Sequence, residues 1–175
     1  MNIQSAIIEG TNILKSKYIQ TAKLDTEILL AEVLGKDRKY ILLNNNKDLE
    51  AENLKYFQKL IKERSNCKPI AYLVKKKFFW NSEFFVTDDT LIPRPDTELI
   101  IEKILELTKH KNRMHILDIG VGSGCILLSI LKEKKNFYGT GIDISENCLN
   151  ISKINAKKLK VVARTKFCKT DVDKF

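Results

Sequence analysis

Proline and glycine are scarce in this chain of 175 residues, at 3 and 7 respectively. That scarcity excludes collagen-like and low-complexity architectures. No apolar run approaches the roughly 20 residues that a membrane span needs, so no membrane partner is expected. The first twenty residues include Gln4, Ser5, Glu9, Lys15 and Lys17 and no apolar block with a small-residue cleavage site, so no secretory leader is read there. The four cysteines, Cys67, Cys125, Cys148 and Cys168, form no C-x-x-C pair. That spacing encodes neither a zinc site nor a dithiol redox motif. Reduced thiols in a cytoplasm are the expectation. The two histidines, His110 and His115, flank a basic turn, and no metal site is expected from them.

What is present is ordinary for a folded chain. Residues are 43% hydrophobic and 30% charged, enough for one domain or two small ones. Lys and Arg number 31 against 22 Asp and Glu, a formal charge of +9. That balance suits a partner carrying phosphate, such as RNA or a ribosome-bound factor. A solvated, lysine-rich surface explains it equally. The stretch Leu149–Thr170 carries seven basic residues and no acid, and invites the same two readings.

The first part of the chain reads helical. Ile3, Ile7, Ile8 and Leu14 recur at helix spacing, with Gly10 as an interruption. A second helix is expected over about Thr21–Leu34, with Asp25 and Glu27 in its first turn and Gly35 as its stop. Lys39–Leu43 reads as a short turn. A third helix is expected over about Leu49–Arg64, presenting Leu54, Phe57, Leu60 and Ile61 on one face. Together these make a small bundle over residues 1–68. Phe78, Phe79 and Trp80, then Phe84, Phe85 and Val86, are strand formers split by Asn81-Ser82, so residues 69–92 read as a β-hairpin linker. The aromatics there are assigned to packing rather than to base stacking. Pro93 and Pro95 hold Arg94 in an extended segment, and Pro95 can open a helix running to about Thr108, with Leu99, Ile100, Ile104 and Leu105 inward.

From His115 the pattern becomes β-α-β-α-β, the front of a doubly wound sheet, so the fold class is α/β. The strongest local signal is Leu117-Asp118-Ile119-Gly120-Val121-Gly122-Ser123-Gly124-Cys125, which follows a strand and opens a helix. Cys125 stands where the dinucleotide fingerprint needs its last glycine. Asp118 beside the loop suits a cationic ammonium better than a pyrophosphate. Asp143 ends the second strand, where an acid can accept hydrogen bonds from both ribose hydroxyls. A nucleoside with a cationic amino-acid tail is S-adenosylmethionine. Asp171, after the third strand, can face an adenine edge.

Four segments carry a more specific likeness: Pro69-Ile70-Ala71-Tyr72-Leu73, Phe79-Trp80, Leu91-Ile92-Pro93-Arg94-Pro95-Asp96-Thr97-Glu98, and the glycine loop. In this order they resemble the release-factor glutamine methyltransferase family of the HemK type. The I-P-R-P-D-T-E run is the most specific part. The resemblance implies a helical substrate-recognition domain over 1–68, the hairpin over 69–92, and the N-terminal half of a Rossmann-like methyltransferase domain over 93–175. It implies peptide chain release factors as partners, and N5-methylation of the glutamine of their Gly-Gly-Gln motif. S-adenosylmethionine is the implied cofactor, with Asp118 and the loop Gly120, Val121, Gly122, Ser123 and Gly124 at its methionine part. Asp143 falls to the ribose, Asp171 and Val172 to the adenine, and Arg94 to the substrate.

The sequence departs from the family pattern at Lys75, where a glycine is usual, at Phe78, where an acid is common, and at Val172, where an aromatic is frequent. The family's catalytic Asn-Pro-Pro-Tyr occurs nowhere in these residues. The expectation is therefore an enzyme family member truncated before that motif, with no catalytic residue of its own and no activity as it stands. Two other readings compete with it. One is an N6-adenine or RNA methyltransferase, which uses a similar N-P-P-Y but lacks the I-P-R-P-D-T-E run. The other is a non-catalytic binding module or decayed gene fragment.

Overall fold

The computed structural model describes residues 1–175, which divide into two compact units, Met1–Val74 and Lys75–Phe175. No helix is long and apolar enough to cross a membrane.

The first unit is helical: α1 (Ile3–Ser16), α2 (Ala22–Leu34), α3 (Arg38–Leu43), α4 (Ala51–Ser65) and the single turn α5 (Ile70–Leu73). Helix α1 starts on Asn2, whose side chain accepts from the Ser5 N–H at 2.8 Å. It runs straight through Gly10, which the sequence suggests as an interruption. Packing explains the glycine instead. A Cβ at Gly10 would lie 2.9 Å from Thr26 Cγ2 and 3.1 Å from both Ile61 Cδ1 and Phe57 Cζ. The bare backbone is what lets α1 approach α2 and α4 this closely. Lys39–Leu43 is helical rather than a turn, because Asp37 caps it by accepting from the Tyr40 N–H at 2.7 Å.

Helix α2 packs against α1, α3, α4 and α5, so Asp25 and Glu27 are buried rather than lying free in a first turn. Asp25 accepts from Arg64 Nε at 2.7 Å and Glu27 from Arg38 Nε at 2.6 Å. Removing either arginine would leave a buried, uncompensated carboxylate.

The second unit opens with the expected hairpin, β1 (Lys76–Phe79) paired antiparallel with β2 (Ser82–Phe85). Its two turn residues are Trp80 and Asn81, at φ +44° and +53°. Both are in the left-handed region that a tight two-residue hairpin requires. Phe79 and Phe84 meet edge to face with centroids 6.1 Å apart, and both are buried. Phe78 points outward and is 72% exposed. The turn is tied down at both ends. The Trp80 N–H donates to Glu98 Oε1 at 2.9 Å, its indole N–H to Glu133 Oε1 at 3.0 Å, and Lys132 Nζ to Ser82 Oγ at 2.8 Å. Lys75, just before β1, sits at φ +53°, a glycine-favouring conformation. The resemblance leads one to expect a glycine here, and the backbone holds the glycine-favouring geometry with a lysine in its place.

Pro95–Thr97 forms one 3-10 turn that leads into α6 (Glu98–Leu107). Its inward residue is Ile101, fully buried, while Leu99 and Ile100 are 66% and 48% exposed, contrary to the sequence expectation. Ile104 and Leu105 are half-buried, in line with the expectation.

The sheet contains β3 (His115–Ile119), β4 (Tyr138–Asp143) and β5 (Thr165–Lys169), all parallel and in the order β3-β4-β5. Helix α7 (Cys125–Glu133) packs on β3 and β4, and α8 (Glu146–Lys158) on β4 and β5. Asp118 points to the α7 side, where it accepts from the Leu127 N–H. Strand alternation therefore turns Leu117 and Ile119 to the other face, where they remain 42% and 56% exposed. The C-terminus of α7 is closed by one residue far along the chain. Arg164 donates to the carbonyls of Leu131, Lys134 and Phe137 at 2.6–2.9 Å. A member of the basic stretch is thus a helix-terminating group.

Two substitutions of opposite sign test this account. Gly10→Ala gains helix propensity but forces three side chains apart, and should destabilise the helical unit by about 1–3 kcal/mol. Lys75→Gly relieves a left-handed lysine and should stabilise by about 0.5–1 kcal/mol. Denaturant unfolding of the two variants beside the parent chain measures both, and equal midpoints for all three would contradict the packing and strain described.

Candidate functional site

The loop between β3 and α7 is shaped by the backbone conformation of its three glycines. Gly120, Gly122 and Gly124 all lie at positive φ, +73°, +53° and +79°. At Gly120 nothing lies within 4 Å of the position a Cβ would take, so the missing side chain leaves open space at the end of β3. Gly124 is different: it is buried against Leu128 and Ser152 and closes the start of α7.

The loop is held from behind by the next βα unit. Gly120 and Val121 N–H groups both donate to the Ile142 carbonyl, at 2.9 and 3.0 Å. Asp143 bridges two backbone segments, accepting from the Gly122 N–H on Oδ2 at 3.0 Å and from the Ser145 N–H on Oδ1 at 2.9 Å. Each carboxylate oxygen keeps further acceptor capacity toward solvent. Ser152 Oγ donates to the Gly122 carbonyl at 2.8 Å, and Asn155 Nδ2 to the Ser123 carbonyl at 2.8 Å.

Two cavities meet at Gly120. One, about 140 Å³, lies between the loop and the Ile92-Pro93-Arg94 segment and is lined by Asp118, Gly120, Val121, Gly122 and Ser123. The other, about 200 Å³, is lined by Ile119, Ile142, Ile144, Asp143, Asp171 and Val172. The residues singled out in the sequence therefore fall into two groups. Arg94 joins Asp118 and most of the loop in the first, while Asp143, Asp171 and Val172 line the second, and Gly120 belongs to both. Gly124 lines neither. Ile144, 72% exposed, was not legible as a site residue. The signal available was an apolar side chain directly after the acid that ends β4. Both cavities open at the carboxyl ends of the strands, where ligands bind in open α/β sheets.

Asp118 is the electrostatic centre of the first cavity. Burial raises its carboxyl from 3.8 to about 6, the Leu127 N–H at 3.3 Å pulls it back, and the nearby Asp143 charge adds to the rise. Cys125, next to the loop, is pushed up to about 11, chiefly by burial, so it is a thiol at neutral pH and not a nucleophile. Burial also raises Cys148.

A three-stranded parallel sheet with a glycine loop after its first strand and an acid after its second is the front half of a Rossmann-like methyltransferase domain. The comparisons with known proteins carry this further. Residues 5–74 match the family model of the PrmC N-terminal domain, and residues 110–175 that of a methyltransferase domain. The chain is 41% identical to the release factor glutamine methyltransferase of Buchnera aphidicola subsp. Acyrthosiphon pisum, over 91% of this chain and 56% of that protein. It is 37% identical to that of Shewanella oneidensis, over 90% of this chain and 56% of the relative. The resemblance to the release factor glutamine methyltransferases thus holds along nine-tenths of the sequence. The chain spans a little over half the length of these curated relatives. Among solved structures, a SAM-dependent methyltransferase from Geobacter sulfurreducens in complex with S-adenosyl-L-homocysteine matches at TM-score 0.40 and 26% identity, over 47% of this chain and 31% of that one. An RNA methyltransferase from Salinibacter ruber matches at TM-score 0.40 and 23% identity, over 48% of this chain and 53% of that one.

The Asp118 carboxyl gives a pH test with a definite sign. Its folded-state value lies above the unfolded one, so the native state holds this proton more tightly. The resulting cost to stability is absent below about pH 4, grows as pH rises toward 6, and is constant above, at about 3 kcal/mol. Asp118→Asn should therefore stabilise the chain at pH 7 and leave it unchanged at pH 4. Urea unfolding at the two pH values reads the difference, and a variant destabilised equally at both would refute the assignment.

Proposed function

We propose that this chain is the cofactor-binding part of a release factor glutamine methyltransferase, acting with S-adenosylmethionine on the glutamine of a Gly-Gly-Gln motif. The observation that carries the reading is the pair of cavities joined at Gly120, with Asp118 on one side and Asp143 on the other. The residues fit the cofactor on their own chemistry. A buried carboxylate beside the loop suits the ammonium of the methionine part. Open space at Gly120 lets backbone approach ligand. Asp143 retains acceptor capacity on both oxygens for a ribose diol. Ile119, Ile144 and Val172 offer apolar walls for a flat adenine, with Asp171 at its edge.

When bound, the cofactor supplies a sulfonium-borne methyl group. The chain's own residues bind and orient. Asp118 offsets the ammonium charge, the loop sets its distance from α7, and Asp143 fixes the ribose. Arg94, exposed between two prolines and lining the first cavity, meets the substrate side. An amide nitrogen is a poor nucleophile because its lone pair is delocalised into the carbonyl. Methyl transfer to it from the sulfonium sulfur depends on holding nitrogen, methyl and sulfur in line, an effect that can supply about 7–11 kcal/mol. The Asn-Pro-Pro-Tyr expected to grip the amide is not in these residues. We therefore assign binding to this chain and not turnover. Release factors are the partner, the cytoplasm is the compartment, and the basic surface suits work near the ribosome or its RNA.

Calorimetry with S-adenosyl-L-homocysteine tests the reading. Asp143→Ala should weaken binding by about 1.5–3 kcal/mol, the range for hydrogen bonds to a charged group. Affinity of the parent chain should rise between pH 5 and pH 7 as Asp118 ionises, and Asp118→Asn should flatten that rise. Unchanged affinity in Asp143→Ala would refute the ribose assignment. Radiolabelled methyl transfer from this chain to a Gly-Gly-Gln peptide should be absent, and robust turnover would overturn the division between binding and catalysis.

A further inference from the structure

A cavity of about 550 Å³ in the second unit plays no part in this reading. It lies at the opposite, amino-terminal ends of the three strands. Arg113, His115, Tyr138, Thr140 and Lys166 line it, together with Arg164. Strand register puts His115 beside Tyr138 and Thr140 beside Lys166, on the face of the sheet that carries neither α7 nor α8. His115 Nε2 and Thr140 Oγ1 are 3.2 Å apart. The Arg113 guanidinium stands 5.0 Å from the centroid of the Tyr138 ring, which orients it over the cavity floor. Arg164 is committed to the helix carbonyls described above, so the cations available to a ligand are Arg113 and Lys166. Arg113 precedes β3 and Lys166 lies in β5 beside Thr140, so the two flank the central strand β4 from either side. No carboxylate lines the cavity. Lys109 and Lys111 extend the same charge into the turn before β3, and both are exposed.

We propose that this cleft binds single-stranded RNA. Arg113 and Lys166 contact separate phosphates of one strand, Thr140 and His115 supply hydrogen bonds between them, and a base stacks on the Arg113–Tyr138 pair. Two cations on either side of β4, too far apart to share one phosphate, select a polyanion over a single anion. A guanidinium stacked on an aromatic ring is a platform for an unpaired base, which a duplex does not offer. The proposal is independent of the methyltransferase reading, since cofactor and RNA would occupy opposite ends of the strands.

Fluorescence anisotropy of a labelled ten-nucleotide single-stranded RNA, titrated with the full 175-residue chain at 50 and 200 mM salt, tests it. The parent should bind, and should bind more weakly at the higher salt as counterion release requires. R113E/K166E should weaken binding at least tenfold and flatten the salt dependence, while R113K/K166R should retain most of the affinity. Tyr138→Ala should weaken binding several-fold, and Asp143→Ala should leave it unchanged. A thermal melt of each variant checks its fold, and the charge-conserving pair together with the salt slope decides the matter if the reversal variant unfolds. Absence of binding by the parent, or equal binding by R113E/K166E, would overturn the proposal. Competition by poly-glutamate as effective as that by unlabelled RNA would also overturn it, in favour of an acidic protein surface.

Discussion

The side-chain amide of Asn155 joins the parts on which the site depends. It is fully buried in the last turn of α8. Its oxygen accepts from the Phe85 N–H at 2.7 Å, and its nitrogen donates to the carbonyls of Phe85 and Ser123 at 2.9 and 2.8 Å. One residue thus fastens the end of the hairpin and the back of the glycine loop to a single helix. An amide suits this position because it offers donor and acceptor together, and every polar atom is matched. With Ser152 one turn earlier on the Gly122 carbonyl, α8 fixes the loop from outside while Asp143 fixes it from the strand. The loop is rigid through its neighbours, even though three of its residues are glycines.

This arrangement sets the electrostatics as well. Asp118 and Asp143 flank the same five-residue loop, yet their environments differ. Asp143 is satisfied by two backbone N–H groups. Asp118 is buried with one, and is the carboxyl whose proton affinity rises. Two like charges near each other favour a cationic ligand between them, which is the charge pattern of the proposed cofactor's methionine end. Burial, with a smaller share from this closeness, makes an ionised Asp118 costly at neutral pH.

Much of this was legible in the sequence. The glycine loop, Asp118 and Asp143 declare themselves because strand, turn and helix signals fall at fixed spacing. The hairpin was readable from its aromatics. The missed features depend on contacts distant in sequence. Gly10 looks like a helix interruption until Thr26, Phe57 and Ile61 are seen around it. The acids of α2 look like dipole partners until Arg38 and Arg64 arrive from other helices. Leu99 and Ile100 look inward by periodicity, but the neighbouring elements cover Ile101 instead. Asn155 has no local signature at all, because an asparagine in a lysine-rich helix normally reads as solvent-exposed.

The Arg164 clamp has a kinetic meaning. Carbonyls at the end of α7 and in the turn after it are satisfied by a guanidinium 27 to 33 residues further along the chain. Until β5 has docked, α7 must end frayed or hydrated, and the loop at its other end rests on an unfinished helix. Closing such a long segment is entropically slow compared with forming the helix itself. Arrival of the third strand should therefore complete the unit in one concerted step. During synthesis, the glycine loop would acquire its final shape only after residue 164 has left the ribosome.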